Sequence, residues 1–458
     1  MSFLLGSGAG FSGDRTDAAI AVVAELARRR QPSALVFETL GERTLAGAHR
    51  RLRDDPEGGY EPLIEELLEP VLATCQDNGI AILGNFGAAD PASACCRVHT
   101  LARRLELGSL VVAEVFGDDV RDRLEMLDLT RWEAESRDLP EAGALVSANV
   151  YLGAAPLVEA LELGAEVVVA GRVADPALFL APLIKHFGWS WDDWDLLAAG
   201  TMAGHLGECG SQVSGGYFAD PGFKDVPDMA RLGYPIIEVE ADGTLVVTKP
   251  PGTGGLVTIE TVKEQLLYEV HDPSAYLTPD VVVDLSNVRI EQVAPDRVAV
   301  TGIRGKPAPD RLKTTVCHDA GWQGEAEISY AGPNALERAR LAADVLRERL
   351  SFRAPQDLKA RFDIIGHLSV FNDDAGQLTG SGNRDGDYRL RLAVEHPKKR
   401  WVERATQELL ALYCAGPAGG GGVRRQFQRR LLSSSYLVRR EDIVAGARLK
   451  SATRGEPA

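Results

Sequence analysis

The 458-residue chain has no excess of positive charge and no long apolar run. It carries 50 Lys and Arg against 66 Asp and Glu, which gives a formal net charge of −16. Nucleic acids and anionic membranes attract basic surfaces, so this balance counts against a protein that binds either of them. No segment approaches the roughly 18 uninterrupted apolar residues of a membrane-spanning helix. The first ten residues lack the basic segment of a signal peptide, and we therefore expect a cytoplasmic protein.

Cysteine is also scarce. Six cysteines are too few and too scattered for a disulfide framework in a chain of this length. Neither the H-E-x-x-H nor the C-x-x-C spacing occurs, so we assign no metal site and identify no cofactor. The remaining composition, 45% apolar and 25% charged residues, is that of an ordinary globular protein long enough for two domains.

Apolar runs and helical patterns alternate along the first half of the chain. The strand-like runs span residues 3–5, 33–37, 80–83, 109–115, 144–147 and 165–170. The helix-like segments between and after them span residues 14–30, 63–78, 92–106, 155–163 and 177–187. This βαβ alternation predicts a parallel sheet covered by helices over residues 1–220. A hairpin pattern and short strands then predict a second, α+β domain over 221–449, followed by a disordered tail over 450–458.

Residues 165–218 form the most informative stretch. If residues 200–212 are helical, one face carries His205, Glu208, Cys209 and Gln212, at positions i, i+3, i+4 and i+7. Glycines 204, 207 and 210 would let a backbone or a ligand approach closely. One interpretation is a His–Glu hydrogen bond in a packed core. The other is a general acid/base histidine oriented by a carboxylate, with Cys209 as a thiol.

Polar residues follow most of the predicted strands. They are Glu38, Asn85, Gly87, Asp119, Asn149, Tyr151, Arg172 and Asp175. Ligands of open α/β sheets bind beyond the carboxyl ends of the strands, so this arrangement predicts a binding or catalytic site at that edge.

The first predicted turn contains Gly8, Gly10 and Gly13, which match the G-x-G-x-x-G dinucleotide fingerprint. Glu38, at the end of the next strand, would then bind the ribose. However, Asp14 follows the last glycine and would repel a pyrophosphate. A non-nucleotide site at Asp14 and Arg15 is the alternative.

Two further glycine-rich loops lie in the second half. Lys249 and Gly254 belong to a loop that either holds an anionic group or simply connects two elements. Four consecutive glycines, 419–422, precede Arg424 and predict either a flexible hinge or an anion-binding nest around Gly420.

Several segments together resemble one family, the acyclic terpene utilisation family. They are GAGFSGDR, FETLGERTLA, GNFGAADP, SANVYLGA, VVAGRVADPALFLAP, AGHLGECGSQVSGGYF, KPPGTGGLV, EISYAGP and AGPAGGGGVR. The resemblance implies a role in degrading branched acyclic isoprenoids such as citronellol and geraniol as CoA thioesters. It further implies a lyase step that splits acetate or an acetyl unit from a 3-hydroxy-3-alkylglutaryl-CoA.

The resemblance also leads to expectations about residues and partners. A base for the tertiary hydroxyl would come from His205 with Glu208, or from Asp175, and the enolate would be stabilised by Arg172, Asn85, Asn149 or a glycine nest. Hydration or dehydration of the same thioester, or a non-catalytic acyl-CoA-binding subunit, are the alternatives. Longer family members carry an additional domain of about a hundred residues with an SGDKGD-like motif. We therefore expect a separate small subunit, and a homo- or hetero-oligomer.

Overall fold

The computed structural model describes residues 2–132, 143–366 and 386–451. The strands are β1 (Phe3–Ala9), β2 (Ser33–Phe37), β3 (Ala81–Gly84), β4 (Val112–Phe116), β5 (Thr130–Arg131), β6 (Leu145–Val150), β7 (Val167–Val169), β8 (Ile236–Val239), β9 (Leu245–Thr248), β10 (Tyr276–Leu277), β11 (Val282–Asp284), β12 (Arg289–Ala294), β13 (Arg297–Thr301), β14 (Arg304–Lys306), β15 (Arg311–Ala331), β16 (Lys359–Ile365), β17 (Asp387–His396), β18 (Gly421–Arg439) and β19 (Gly446–Lys450).

The helices are α1 (Ala18–Arg29), α2 (Glu42–Asp54), α3 (Ile64–Leu68), α4 (Leu72–Asn78), α5 (Pro91–Arg104), α6 (Ala155–Glu162), α7 (Ala177–Phe187), α8 (Trp194–Glu208), α9 (Ile259–Leu267), α10 (Ala335–Arg353), α11 (Lys399–Leu410) and α12 (Leu412–Ala415). No helix in these ranges is long and apolar enough to cross a membrane.

The main sheet of the described residues has ten strands in the order β12-β13-β9-β8-β1-β2-β3-β7-β4-β19. Its centre, β1-β2-β3-β7-β4, is parallel, which confirms the α/β prediction for this part. The sheet as a whole is mixed, because β8, β9, β12, β13 and β19 join it antiparallel. The predicted parallel sheet is therefore the central part of a larger mixed sheet.

The described residues form two compact units. One comprises residues 2–132, 146–317 and 433–451, and the other residues 143–145, 318–366 and 386–432. The predicted hairpin at 235–248 does form, as β8 and β9, but β8 pairs with β1 and so extends the first sheet. Local hairpin signals give no information about which strand the hairpin will join. Residues 452–458 of the expected tail lie outside the described residues.

Strand β6 takes a different place from the one predicted for it. It pairs with β15 rather than with the central strands. Its last residues instead run along the carboxyl edge of the main sheet, where the Val150 amide donates to the Asp118 carbonyl at 2.8 Å and the Leu152 amide to the Arg172 carbonyl at 3.3 Å. This crossing brings Asn149 and Tyr151 to the ends of β4 and β7.

Several helix ends also differ from expectation. The predicted helix 63–78 is broken into α3 and α4 beside Pro70, which has no amide hydrogen for the helix ladder. The predicted helix 177–187 is confirmed as α7. Helix α8 ends at Glu208, and residues 210–214 form a 3₁₀ turn that starts at Gly210 with a φ of +57°. His205 and Glu208 therefore share a helical turn, whereas Gln212 does not.

The core of the first unit lies on the faces of the parallel strands. Every residue of β1, β2 and β7 is buried, as expected for strands covered on both sides. Helix α1 packs Val22, Val23 and Leu26 against this sheet. Each such side chain contributes about 1.5–3 kcal/mol by leaving water. The packed strands thus fix the positions of the polar residues at their ends.

The second unit has a core of its own. Strands β16 and β17 pair antiparallel, and β17 pairs with β15 in a register that places Ile328 opposite Leu390. The buried face carries Ile328, Tyr330 and Leu390, and helices α10 and α11 cover it. The predicted helix 334–350 and strand 363–370 correspond to α10 and β16, with residues 367–370 outside the described residues.

Candidate functional site

Four of the parallel strands end in buried polar side chains. Glu38 follows β2, Asn85 follows β3, Asp118 follows β4 and Arg172 follows β7. Parallel strands place their carboxyl ends at one edge, and the hydrogen bonds described below join these residues there. We call Glu38, Asn85, Asp118, Arg172 and Asp175 the polar cluster.

Arg172 lies at the centre of the polar cluster and is only 1% exposed. Its guanidinium donates to the carbonyls of Val173 and Leu40 and forms an ion pair with Asp175. Its backbone amide donates to Asp118 Oδ2 at 2.8 Å. Burial opposes the charged form, but Asp175 and other neighbours raise the pKa of Arg172. Because the protein engages four of the five N–H donors of its guanidinium, Arg172 positions the cluster, which counts against the oxyanion role expected for it.

A chain of hydrogen bonds runs from Asp118 to a buried histidine. Asn149 Nδ2 donates to Asp118 Oδ2 at 2.9 Å, and Asn149 Oδ1 lies 3.0 Å from His49 Nε2. Because that amide oxygen can only accept, His49 carries its proton on Nε2. Burial lowers the pKa of His49 to about 4 and raises the pKa of Asp118 to about 6. The amide nitrogen and the amide oxygen of Asn149 both take part in this series of hydrogen bonds, so its oxygen is not free for a substrate.

Tyr151 forms the side of the cluster that reaches solvent. Its ring lies 4.5 Å from the Arg172 guanidinium and 4.7 Å from Lys313 Nζ. Its hydroxyl donates to Glu42 Oε1 at 2.5 Å, and Lys313 Nζ donates to the same oxygen at 3.1 Å. Burial alone would raise the pKa of Glu42, but these two partners lower it to about 2. Glu42 is thus a fixed negative charge at this edge.

Glu38 is buried and accepts hydrogen bonds at Oε1 from the Leu40 amide at 2.7 Å and Asn85 Nδ2 at 2.9 Å. Asn85 Oδ1 accepts from the Thr39 amide. Burial, followed by the charge of Asp175, raises the pKa of Glu38 to about 8. Glu38 is therefore mostly protonated at neutral pH.

His205 and Glu208 form a second buried group, on the last turn of α8. His205 Nδ1 lies 3.2 Å from Glu208 Oε1, and the two residues are 1% and 8% exposed. Burial lowers the pKa of His205 to about 4. Burial, followed by the charges of Asp175 and Glu269, raises the pKa of Glu208 well above its usual range. His205 Nε2 and Glu208 Oε2 are buried without a hydrogen-bond partner in the described residues.

Asp175 connects the two groups electrostatically. Its charge is among those that raise the pKa values of both Glu38 and Glu208. Burial, which outweighs the attraction of Arg172, raises the pKa of Asp175 itself. Its side chain is 33% exposed, so Asp175, like Glu42 at the edge of the cluster, is a carboxyl that solvent reaches. Four carboxyl groups with raised pKa values, those of Glu38, Asp118, Asp175 and Glu208, thus lie around one buried guanidinium, and protons balance part of the remaining charge.

Asp118, His49 and Glu42 were not singled out from the sequence, and two further residues of this kind lie beside His205. The ring of Tyr276, in β10, lies 5.4 Å from the His205 ring. Burial, followed by the charge of Glu208, raises the pKa of Tyr276, so its hydroxyl stays protonated. Gln265, in α9, donates to the His205 carbonyl at 3.1 Å. Both come from outside the βαβ region, and no local pattern marks them.

Cys209 lies at the end of α8. Burial, followed by the charge of Glu208, raises the pKa of its thiol. A protonated thiol is a weak nucleophile, so this environment counts against the predicted thiol chemistry.

The turn after β1, which matches the dinucleotide fingerprint, is occupied by the carboxylate of Asp14. Gly10 N donates to Asp14 Oδ2 at 2.8 Å, while Asp14 Oδ1 accepts from the Arg15 amide and from the Tyr234 hydroxyl at 2.6 Å. Gly8 lies inside β1, and α1 begins only at Ala18, after Gly13. Arg15 pairs with Asp17. The amide that would face a pyrophosphate is therefore engaged, which counts against the dinucleotide interpretation.

Close backbone approaches account for most of the other glycines. A Cβ on Gly10 would lie 2.5 Å from the backbone of Cys209 and Gly210, and one on Gly87 would lie 2.6 Å from the Ala170 carbonyl. A Cβ on Gly204 would lie 2.6 Å from Pro176, and one on Gly207 would lie 2.8 Å from the Phe179 ring. These glycines allow α8 to pack against α7 and the β1 turn. The packing interpretation holds for them.

The remaining predicted residues lie at the margin of this network or outside it. The backbone of Asp119 forms a bridge with that of Asn149, and its side chain pairs with Arg121 at the surface. Gln212 lies on the 3₁₀ turn after α8. Lys249 Nζ donates to the Thr253 carbonyl and lies 3.3 Å from Asp296, so it stabilises its own loop. A Cβ on Gly254 would lie 2.0 Å from the Asp228 carbonyl, which explains that glycine.

Gly420 and Arg424 belong to the second unit. Gly420 packs beside Ile328 and Tyr330, and β18 begins at the next residue. The glycine run therefore leads directly into a strand, and the hinge and the anion-binding nest both stay predictions.

The comparisons with known proteins support one family. The family model described as acyclic terpene utilisation family protein AtuA matches residues 3–449. The chain belongs to the acyclic terpene utilisation family. The resemblance carried by the sequence motifs is thereby confirmed, and the match includes the polar cluster and the His205–Glu208 pair. No curated protein and no solved structure matches the chain.

Proposed function

We propose that this member of the acyclic terpene utilisation family is a lyase that cleaves a branched 3-hydroxyacyl-CoA thioester. The observation that carries the proposal is the buried His205–Glu208 pair, whose Nε2 and Oε2 atoms have no partner in the described residues. A buried polar atom without a partner costs about 1–3 kcal/mol, so these two atoms require a ligand or water to bind. Burial raises the pKa values of the neighbouring carboxyl groups of Glu38 and Asp175, which suits proton transfer.

We assign each role in the reaction from how exposed the side chain is and whether it carries a proton. Asp175, partly exposed and paired with Arg172, takes the proton from the tertiary hydroxyl. The adjacent carbon–carbon bond then breaks, which leaves a ketone and the enolate of the departing acetate or acetyl unit. Glu208, protonated and in contact with His205, returns a proton to the enolate carbon. The protonated hydroxyl of Tyr276 donates a hydrogen bond to the enolate oxygen.

Dehydration of the same substrate would use the same groups and is the second candidate. Product analysis separates the two reactions, because a lyase releases a ketone and a shorter acid or thioester, whereas a dehydratase releases an unsaturated thioester of full length. An acyl-CoA-binding subunit without activity would give neither product.

The experiment compares the unaltered chain with Glu208→Gln and His205→Gln on a panel of branched 3-hydroxyacyl-CoA thioesters. We expect turnover to fall by at least about a hundredfold in both variants, with binding retained. The control is His99→Gln, which replaces another buried histidine. His99 lies on α5, and its Nε2 is 2.9 Å from the Lys450 carbonyl oxygen in β19. Turnover that survives in Glu208→Gln, or falls equally in His99→Gln, would contradict the assigned roles.

The separate small subunit stays a prediction. Co-purification with a tagged chain, followed by the same assay with and without the co-purified protein, tests it.

A further inference from the structure

The second unit contains a concentration of positive charge in an otherwise acidic chain. Residues 386–432 carry ten Lys and Arg against four Asp and Glu, although the whole chain has a net charge of −16. The difference is local to β17, α11 and β18. A local basic surface on an acidic protein concentrates anions where the remaining surface repels them.

Part of this charge lines a groove between α11 and β18. The groove encloses about 600 Å³, within the size range of small-molecule sites. It is lined by Arg400, Glu403, Arg404, Gln407, Arg425 and Phe427, which we call the basic groove. Three guanidinium groups and one carboxylate give it a formal charge of +2.

Hydrogen bonds to α11 hold the Arg425 guanidinium in place, but one of its N–H donors has no acceptor in the described part of the chain. Its Nη1 donates to Gln407 Oε1 at 2.9 Å, and its Nη2 donates to Thr406 Oγ1 at 3.1 Å. Its Nε is buried and has no acceptor in the described residues. A guanidinium held in this way has lost its rotational freedom before any ligand binds, which favours anion recognition.

The other members of the basic groove differ in how far they are neutralised. Arg404 Nε lies 3.3 Å from Glu408 Oε1, in an ion pair without hydrogen-bond geometry, and Glu403 pairs with Lys399 at 3.2 Å. Arg400 is exposed and lies 4.9 Å from the Trp401 ring. No carboxylate in the described ranges pairs with it. Arg400 is therefore the free cation at the rim.

Phe427 gives the basic groove an aromatic face. Its ring is 39% exposed, and Lys399 Nζ lies 5.0 Å from its centre. Exposed aromatic rings beside cations stack nucleobases in many nucleotide sites. Guanidinium groups bind phosphate through paired, charge-assisted hydrogen bonds. The basic groove has both features and a charge that matches a phosphate monoester of about −2.

We propose that the basic groove binds the phosphate of a nucleotide, with the base against Phe427. Free nucleotides and the adenosine 3′-phosphate end of a CoA thioester share this chemistry. The inference does not depend on the lyase reaction, and its test does not use turnover.

The experiment titrates the full chain with 3′-phosphoadenosine 5′-phosphate, 5′-AMP, adenosine and inorganic phosphate by calorimetry. We expect both nucleotides to bind and adenosine to bind much more weakly. Stronger binding of 3′-phosphoadenosine 5′-phosphate than of 5′-AMP would identify CoA as the source, and the reverse would identify a free nucleotide. Raising the salt concentration should weaken binding, because the contacts are charged and close to solvent.

The variants are Arg400→Gln and Phe427→Leu, with Arg424→Gln as the matched control. Arg424 precedes Arg425 on β18 and therefore points to the opposite face of the strand. Arg400→Gln should weaken nucleotide binding by about tenfold, the loss expected for one charge-assisted hydrogen bond, and Arg424→Gln should leave it unchanged. Phe427→Leu should weaken the nucleotides but not inorganic phosphate. Equal losses in Arg400→Gln and Arg424→Gln, equal binding of adenosine and 5′-AMP, or no nucleotide binding at millimolar concentration would each overturn the proposal.

Discussion

The turns after β1 and β7 leave the same edge of the main sheet, and both contain glycine and a carboxylate. In the β1 turn, Asp14 is saturated by the Gly10 amide, the Arg15 amide and the Tyr234 hydroxyl. In the β7 turn, Asp175 bonds Arg172 and remains 33% exposed. The β1 turn matches a known fingerprint but is closed by its own side chain, whereas the β7 turn matches none and keeps a carboxyl available. A glycine pattern therefore identifies a possible loop shape, and the neighbouring side chains decide whether a ligand can bind.

The largest expected difference between the two turns is in stability. Arg172→Met should lower the free energy of unfolding by about 3–5 kcal/mol, because it leaves Asp175 and the Leu40 and Val173 carbonyls without their buried cation. Arg15→Gln, in the β1 turn, removes a partly exposed ion pair and should cost less than about 1 kcal/mol. Denaturant unfolding of both variants measures the contrast. Equal losses would contradict the central position assigned to Arg172.

The next effect separates close packing from backbone strain within the β1 turn. Gly10→Ala should destabilise the chain by about 1–3 kcal/mol, because its Cβ would overlap the backbone of Cys209 and Gly210. Gly13→Ala should cost only about 1 kcal/mol, since its Cβ would make only an ordinary contact with the Phe11 ring, at 3.9 Å, but its φ is +88°. Thermal unfolding of the two variants tests this order. The reverse order would show that the turn adopts another conformation.

A separate effect is a change in how stability depends on pH. The pKa of Glu38 is about 8 in the folded chain and about 4.5 when unfolded, so the folded state binds more protons between these values. Glu38 therefore makes the unaltered chain lose stability as pH rises from about 5 to about 8. Glu38→Gln mimics the protonated form and should remove this loss, becoming more stable relative to the unaltered chain at pH 8 than at pH 5. Denaturant unfolding of both proteins at pH 5 and pH 8 tests the sign of this difference. An equal difference in stability at the two pH values would contradict the raised pKa of Glu38.

The sequence was a good guide to the strands and a poor guide to their partners. Alternating apolar runs predicted β2 and α7 at their observed bounds, and polar residues after strands predicted Glu38, Asn85, Arg172 and Asp175 at one edge. The pairing of β6 with β15 and of β8 with β1 depends on contacts between distant segments, which no local pattern encodes. Tyr276 is the clearest example at the site, because it reaches His205 only through the tertiary fold.

The central claim is that the ligand binds at the polar cluster and not at the β1 turn. The most direct measurement is the affinity of a branched 3-hydroxyacyl-CoA and of NADH for the unaltered chain, Asp175→Asn and Asp14→Asn. We expect the thioester to bind, Asp175→Asn to change its affinity and Asp14→Asn to leave it unchanged. Binding of NADH alone, altered by Asp14→Asn and not by Asp175→Asn, would contradict the account and assign the site to the fingerprint turn.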